Sequence, residues 1–341
     1  MSQVQTDLLP HDNAVGEIYK VNISFIAVTT LIIGLRLVVR GFVVKHVAAD
    51  DYLMVAAGLF STAFSTMTIV GIRYGLGKHI YDLPQDAHLL ERTKRVIQTL
   101  WTCQIMYATA LMLVKISIVV SYLRVFPTVL FRRTMYALSA AIVAVWICSI
   151  LVTIFQCNPV RAAWDFTLSR NCLPIVKFFY FTTAFSIFTD FLLCTLPLPV
   201  FWKLKLPARQ KSIVSVLFGV GLFATVASAL RISVIPAVDD LDVTMGSVST
   251  IKWSVVEVGT GIICACIPTL KPLFKNLLPD KNSSHNRSGG GRSDRTGPYT
   301  PKIAQSEESH ELTKPTEGWT SWSRQDSRLK AAPVVVTKNF I

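Results

Sequence analysis

Charge is scarce in this sequence: only 16% of its 341 residues are Asp, Glu, Lys or Arg, while 51% are hydrophobic and mean hydropathy is +0.46. That balance excludes an ordinary soluble domain of this length and marks a polytopic membrane protein. The first residues, MSQVQTDLLPHDNAVGEIYK, lack a basic region ahead of a cleavage site. No cleaved signal peptide is expected, and the first apolar run serves as the insertion signal. Other absences exclude particular chemistries. The chain has no Gly-rich phosphate loop, no His-Glu-x-x-His metal motif and no visible inverted repeat of the transporter kind. A retinal protein needs a Schiff-base lysine within its last span, but residues 253–270 contain none and Lys252 stands at the edge. Neither a photoreceptor nor any cofactor or metal is expected. A net charge of +13 would suit nucleic acid, but the basic residues cluster at the ends of apolar runs, so no nucleic-acid partner is expected.

What is present are apolar runs near residues 18–40, 52–72, 97–122, 135–156, 177–201, 212–235 and 251–270. Each is close to the roughly 20 residues that one helical crossing requires. The expected fold is therefore all-α, a polytopic seven-transmembrane helix bundle over 18–278. A short extracellular segment, 1–17, precedes it and a disordered cytoplasmic tail, 279–341, follows. Lys and Arg decide the orientation: Arg40 and Lys45, Arg124 to Arg133, Lys203 to Lys211, and Lys271 to Lys281 all fall on one side, read as the cytoplasm. The N-terminus is thus expected outside and the C-terminus inside. The tail is rich in Ser, Thr, Gly, Asn and Arg, with Gly289, Gly290 and Gly291 in a row, and cannot bury a core. Its Asn282 and Asn286 fit the N-glycosylation pattern, so a glycan on either would overturn this orientation.

Within the runs, four ionisable residues demand an account: Lys115, Asp190, Arg231 and Glu257. Lys115 lies about 13 Å from Arg124 along the helix, near the limit of snorkelling. Stepping by about 100° per residue puts Gln104, Tyr107, Lys115 and Tyr122 within an arc of about 80°, a polar stripe that must face other helices. By sign and depth two ion pairs are expected, Lys115 with Asp190 towards the inner half and Arg231 with Glu257 near the outer face. Asp51 is the rival partner for Lys115. Small residues such as Gly221, Ser228 and Gly261 share faces with these charges and permit close helix approach. Two readings stay open for the four: packing glue that fixes the bundle, or an intramembrane switch lining a cavity.

Of seven cysteines, Cys157 and Cys172 bracket a long loop on the outward side. A disulfide there would close about 15 residues and stabilise the fold by roughly 3 kcal/mol in the chain-entropy model, holding a lid over the outer mouth. The competing pairing uses Cys103.

Several pieces together carry a family resemblance: Asp50-Asp51-Tyr52, Gly75-Leu76-Gly77-Lys78-His79, Lys115-Ile116-Ser117-Ile118 with Tyr122-Leu123-Arg124, Cys157-Asn158-Pro159 through Trp164 to Cys172, Asp190 with Pro197-Leu198-Pro199, Arg231, and Trp253 with Glu257. From about residue 20 to 278 the chain resembles the fungal rhodopsin-domain family of seven-span integral membrane proteins. The resemblance implies a receptor-like architecture without retinal, in a family that includes receptor-like proteins of pathogenic development and members accompanying secondary-metabolite clusters. The triplet Tyr122-Leu123-Arg124 departs from the acidic-Arg-Tyr sequence of animal receptors. The expected partners are the lipid bilayer, an unknown small-molecule or extracellular ligand, and a cytoplasmic signalling partner at the basic loops and tail. The leading expectation is an orphan receptor of the plasma membrane; the alternative is a membrane enzyme or accessory protein of secondary metabolism.

Overall fold

The computed structural model describes residues 12–277 apart from 83–87, 127, 166, 170, 199–218, 220, 224 and 234–242, with backbone alone at 243 and 271–277. Helix α1 covers Val15–Val38 and widens into a π-turn at Val39–Val43. α2 covers Ala49–Ile72, α3 Leu89–Val125 and α4 Val129–Ile154. A two-stranded ribbon follows, β1 at Cys157–Asn158 antiparallel to β2 at Asn171–Cys172, then α5 at Ile175–Thr195. α6 covers Gly221–Ser233 and α7 Val243–Leu277.

Six of these helices, α1 to α5 and α7, are long and apolar enough to cross a membrane. The chain is a helical, multi-pass membrane bundle. The run expected at 212–235 lies partly outside the described residues, as does the whole tail with Asn282 and Asn286; α6 as described is shorter than one crossing. Leu31, Leu59, Phe188 and Phe223 are exposed on helix surfaces, where hydrocarbon replaces water as the solvent. At about 1.5 Å per residue the 37 residues of α3 extend roughly 55 Å, well beyond a hydrocarbon core of about 30 Å. Its polar first turns therefore project past the membrane and shorten the connection between the apolar runs at 52–72 and 97–122.

α2 packs along α3, while α1 packs on α2 and α7, and α3 also meets α4 and α7. One core joins α1, α2, α3 and α7 around Ile18, Met54, Val114, Val258 and Ile262; a second joins α3, α4 and α5 around Val119, Phe131, Met135 and Leu193. Close approach depends on glycine at α7: a Cβ at Gly259 would overlap the Phe25 ring, and one at Gly261 would stand 3.0 Å from Val114.

The Gly-Leu-Gly turn after α2 ties helix ends together. Gly75 and Gly77 adopt φ of 116° and 90°, which residues with a side chain rarely tolerate. Between them Leu76 is buried, and the Gly77 N–H donates to the Thr244 carbonyl while its own carbonyl accepts from the Ala14 N–H. The Thr244 hydroxyl donates to the Lys78 carbonyl at 2.7 Å. The starts of α1 and α7 are thereby held at one end of the bundle, the end that carries the ribbon.

Candidate functional site

The four intramembrane charges lie in one hydrogen-bonded network. Lys115 Nζ sits 3.0 Å from Asp190 Oδ1 and also donates to the Ser186 carbonyl and to the Ser186 and Thr189 hydroxyls at 2.8–3.0 Å. The Ser186 hydroxyl in turn donates to Glu257 Oε1 at 2.8 Å. The other oxygen, Oε2, accepts from the Tyr107 hydroxyl at 2.8 Å and lies 3.3 Å from Arg231 Nη2, while Arg231 Nη1 donates to the same Tyr107 hydroxyl. Ser228 closes the set by donating to Asp190 Oδ2 at 3.3 Å. Lys115 thus faces Asp190 and Arg231 faces Glu257, as the sequence leads one to expect, and the Ser186 hydroxyl adds a link between the two pairs. Ser186, one helical turn before Asp190, joins the Lys115 level to the Glu257 level, so α3, α5, α6 and α7 share one polar core. Two cations and two carboxylates cancel there. In a low-dielectric interior that balance is what makes burial of all four tolerable.

A second charged cluster lies where α1 meets the start of α2. Arg36, absent from the predicted set of four, is completely buried; its Nε donates to Asp51 Oδ1 at 2.8 Å, Nη2 to Asp50 Oδ2 at 2.6 Å and Nη1 to the Ala265 carbonyl at 2.8 Å. Arg40 adds a 3.1 Å contact to Asp50, and Ser117 and Ser121 donate to the Asp50 carbonyl and carboxylate. Asp51 also accepts from the Ala48 N–H, capping α2 where its dipole favours an acid. Asp51 is thus committed to Arg36 and to its own helix, leaving Lys115 to Asp190. The signal for this cluster was the conjunction of an arginine inside the first run with two acids opening the second.

At the ribbon end Cys157 and Cys172 form a disulfide, and Cys103 is a buried free thiol beside Thr68, so the pairing through Cys103 is not made. The loop they close is tethered to the bundle. The Trp164 ring meets Trp101 edge-on at 5.7 Å, Trp101 Nε1 donates to the Thr153 carbonyl, and Lys94 pairs with Asp165 at 2.9 Å. Hydrogen bonds from Thr167 and from Lys94 hold the Asp165 carboxyl down to about 2.

Beneath this loop lies a cavity of about 360 Å³, walled by Trp101, Leu100, Phe179, Ile251, Gln156 and Thr250 among others. A smaller one of about 100 Å³ reaches the charged network at Lys115, Ser186 and Arg231. Gln104, Tyr107, Phe179, Thr250 and Ser254 line both, so the two compartments adjoin. Of the predicted stripe, Gln104, Tyr107 and Lys115 face this space. Tyr122 does not: it packs edge-on against Phe126 in the second core, at the far end of α3. Trp253 is half-buried on α7 and belongs neither to the network nor to the cavity walls.

Residues 35–276 match the sequence profile of the fungal rhodopsin domain. The chain belongs to that family. Proteins similar to this chain include a SAT4 family membrane protein of Emericella nidulans, 28% identical over 66% of this chain and 57% of that protein. Another is Fugralins biosynthesis cluster protein 2 of Gibberella zeae, 26% identical over 78% of this chain and 67% of that one. A third is Receptor GIN3 of Arthrobotrys oligospora, 26% identical over 84% of this chain and 71% of that receptor. The chain thus spans little more than half the length of the first of these relatives. The proteins similar to this chain thus include one named as a receptor and one named for a biosynthetic cluster.

Proposed function

We propose that this chain is a ligand-sensing, receptor-like protein of the fungal plasma membrane, with its N-terminus outside and its tail in the cytoplasm. The observation that carries the reading is the cavity beneath the disulfide-closed loop, which reaches a neutral charge network spanning four helices. A ligand in that cavity touches the wall of the network, and any shift of one member leaves another buried charge without its partner. Such a unit favours discrete alternative packings, as a sensing bundle requires. The oxidised Cys157–Cys172 pair and the basic loops at the other end support the proposed orientation. The likeness to a protein named a receptor supports the sensing role.

Glu257→Gln tests it. The variant strands the buried Arg231 guanidinium, so it is expected to reach the membrane at a reduced level and, per folded molecule, to alter the cell's transcriptional response; loss of folded protein with no altered response in the surviving fraction would assign the charges to packing alone. A second reading is a membrane accessory factor or enzyme in natural-product biosynthesis, favoured by the cluster name of the Gibberella zeae relative. A proton donor for such chemistry should be a carboxyl free of a base, whereas Asp190 and Glu257 are both paired. Metabolite extraction from a deletion strain separates the two: a missing product with pathway transcripts unchanged favours the second.

A further inference from the structure

We infer that the paired cavity takes an uncharged, mostly apolar small molecule that carries a hydrogen-bonding oxygen, with Gln104 and Thr250 as the groups that meet that oxygen. This rests on the sensing reading and names the class of ligand sensed. The larger compartment, at about 360 Å³, falls in the range of small-molecule sites, which are mainly apolar with a few placed polar groups. Its body is apolar, with Trp101, Leu100, Ile251 and Phe179 in the wall.

The polar groups where the compartments meet are unusual in lacking partners. Gln104 is half-buried and lines both compartments, yet its side-chain amide makes no hydrogen bond among the described residues. Among the described residues, Thr250, which also lines both, has a buried hydroxyl without a partner, and Arg231, in the wall of the smaller one, has its Nε unused. Buried polar groups left unpaired are rare and costly, so a ligand oxygen that pairs with the buried Thr250 hydroxyl gains that hydrogen bond, and the half-buried Gln104 amide beside it offers a second. The neighbouring network excludes an ionised ligand. Its two cations and two carboxylates already cancel, Lys115 has three hydrogen bonds besides its carboxylate, and a further charge would be buried without compensation. A neutral amide and a hydroxyl match a carbonyl, ester or hydroxyl oxygen instead.

The test uses the full chain in lipid nanodiscs and a set of brominated medium-chain probes: a methyl ketone, the corresponding carboxylic acid and the corresponding alkane. Bromine quenches tryptophan fluorescence at short range, and Trp101 supplies the fluorophore in the wall. The ketone is expected to quench saturably, the effect shrinking in Trp101→Phe. The acid and the alkane are expected to bind at least roughly tenfold more weakly, the equivalent of one well-made hydrogen bond. Gln104→Leu and Thr250→Val should each weaken the ketone several-fold without lowering thermal stability, since neither side chain has a polar partner to lose. Equal, unsaturable quenching by all three probes would reveal mere partitioning and overturn the inference, as would preference for the acid or no effect of either variant. Saturable binding with an unaltered cellular response would keep the site and sink the receptor reading. An altered response in Glu257→Gln without ketone binding would do the reverse.

Discussion

Arg36 illustrates how a single residue can hold a membrane bundle together. Its guanidinium touches α2 through two carboxylates and α7 through the Ala265 carbonyl, so three helices meet on one side chain. Removing it leaves two acids buried with much of their charge unbalanced, a loss of about 3–5 kcal/mol by the usual cost of breaking such a pair. Arg36→Met should abolish folded protein in size-exclusion profiles, and Arg36→Lys should fail to rescue it, because an ammonium cannot reproduce the planar fork. Lys115 behaves differently, since it has one carboxylate and three neutral acceptors. Lys115→Met should be strongly destabilising through the stranded Asp190, and Asp190→Asn in the same chain should restore part of the loss. A double-mutant coupling near zero in thermal unfolding would mean that the pair contributes nothing. The sequence made Lys115, Asp190, Arg231 and Glu257 legible because each stands alone in an apolar run. It left Arg36 illegible because a basic residue near the end of a run reads equally well as a topology signal.

At the scale of elements, the Gly75-Leu76-Gly77 turn and the disulfide loop build the ribbon end of the bundle. Gly77→Ala forces a left-handed backbone on a residue with a Cβ and drives that Cβ to 2.9 Å from Ile18. It should cost at least 1–2 kcal/mol, roughly, and lower the thermal midpoint. Gly16→Ala, where a Cβ meets nothing within 4 Å, is the control. In the disulfide loop the Lys94–Asp165 tether sets a pH window. Asp165 is held below the ordinary aspartate value, at about 2, so the stability it contributes is fully present above about pH 4 and is lost as pH falls through 2. Hydrogen exchange of residues 164–169 should therefore be unchanged, after correction for intrinsic rate, between pH 7 and 5. It should be faster throughout that range in Asp165→Asn. The disulfide ends of this loop stand out in the sequence by spacing, whereas the edge-on contact of Trp164 with Trp101 does not, since the two are far apart in the chain and the contact exists only once α3 and α4 have packed.

For the whole molecule, the proposed orientation makes a direct prediction. Expressed in its host, the chain should carry no glycan at Asn282 or Asn286, read as no mobility shift on glycosidase treatment; a shift would place the tail outside. What the sequence by itself determined is the class and the raw material. Scarce charge and repeated apolar runs of bilayer length require membrane helices whatever the tertiary arrangement, because an unpaired backbone has no partner in hydrocarbon. Four isolated ionisable residues likewise had to face the bundle interior rather than lipid. What only the tertiary structure decided is which groups meet. Helical periodicity assigns a residue to a face but does not set helix rotation or relative height. The same stripe therefore sends Gln104, Tyr107 and Lys115 to the cavity and Tyr122 to an apolar core. For the same reason the joining of two expected ion pairs through Ser186, the capture of Asp51 by Arg36, and a cavity whose walls come from separate helices have no signature in a linear chain. They arise from the rotation and depth at which packed helices come to rest.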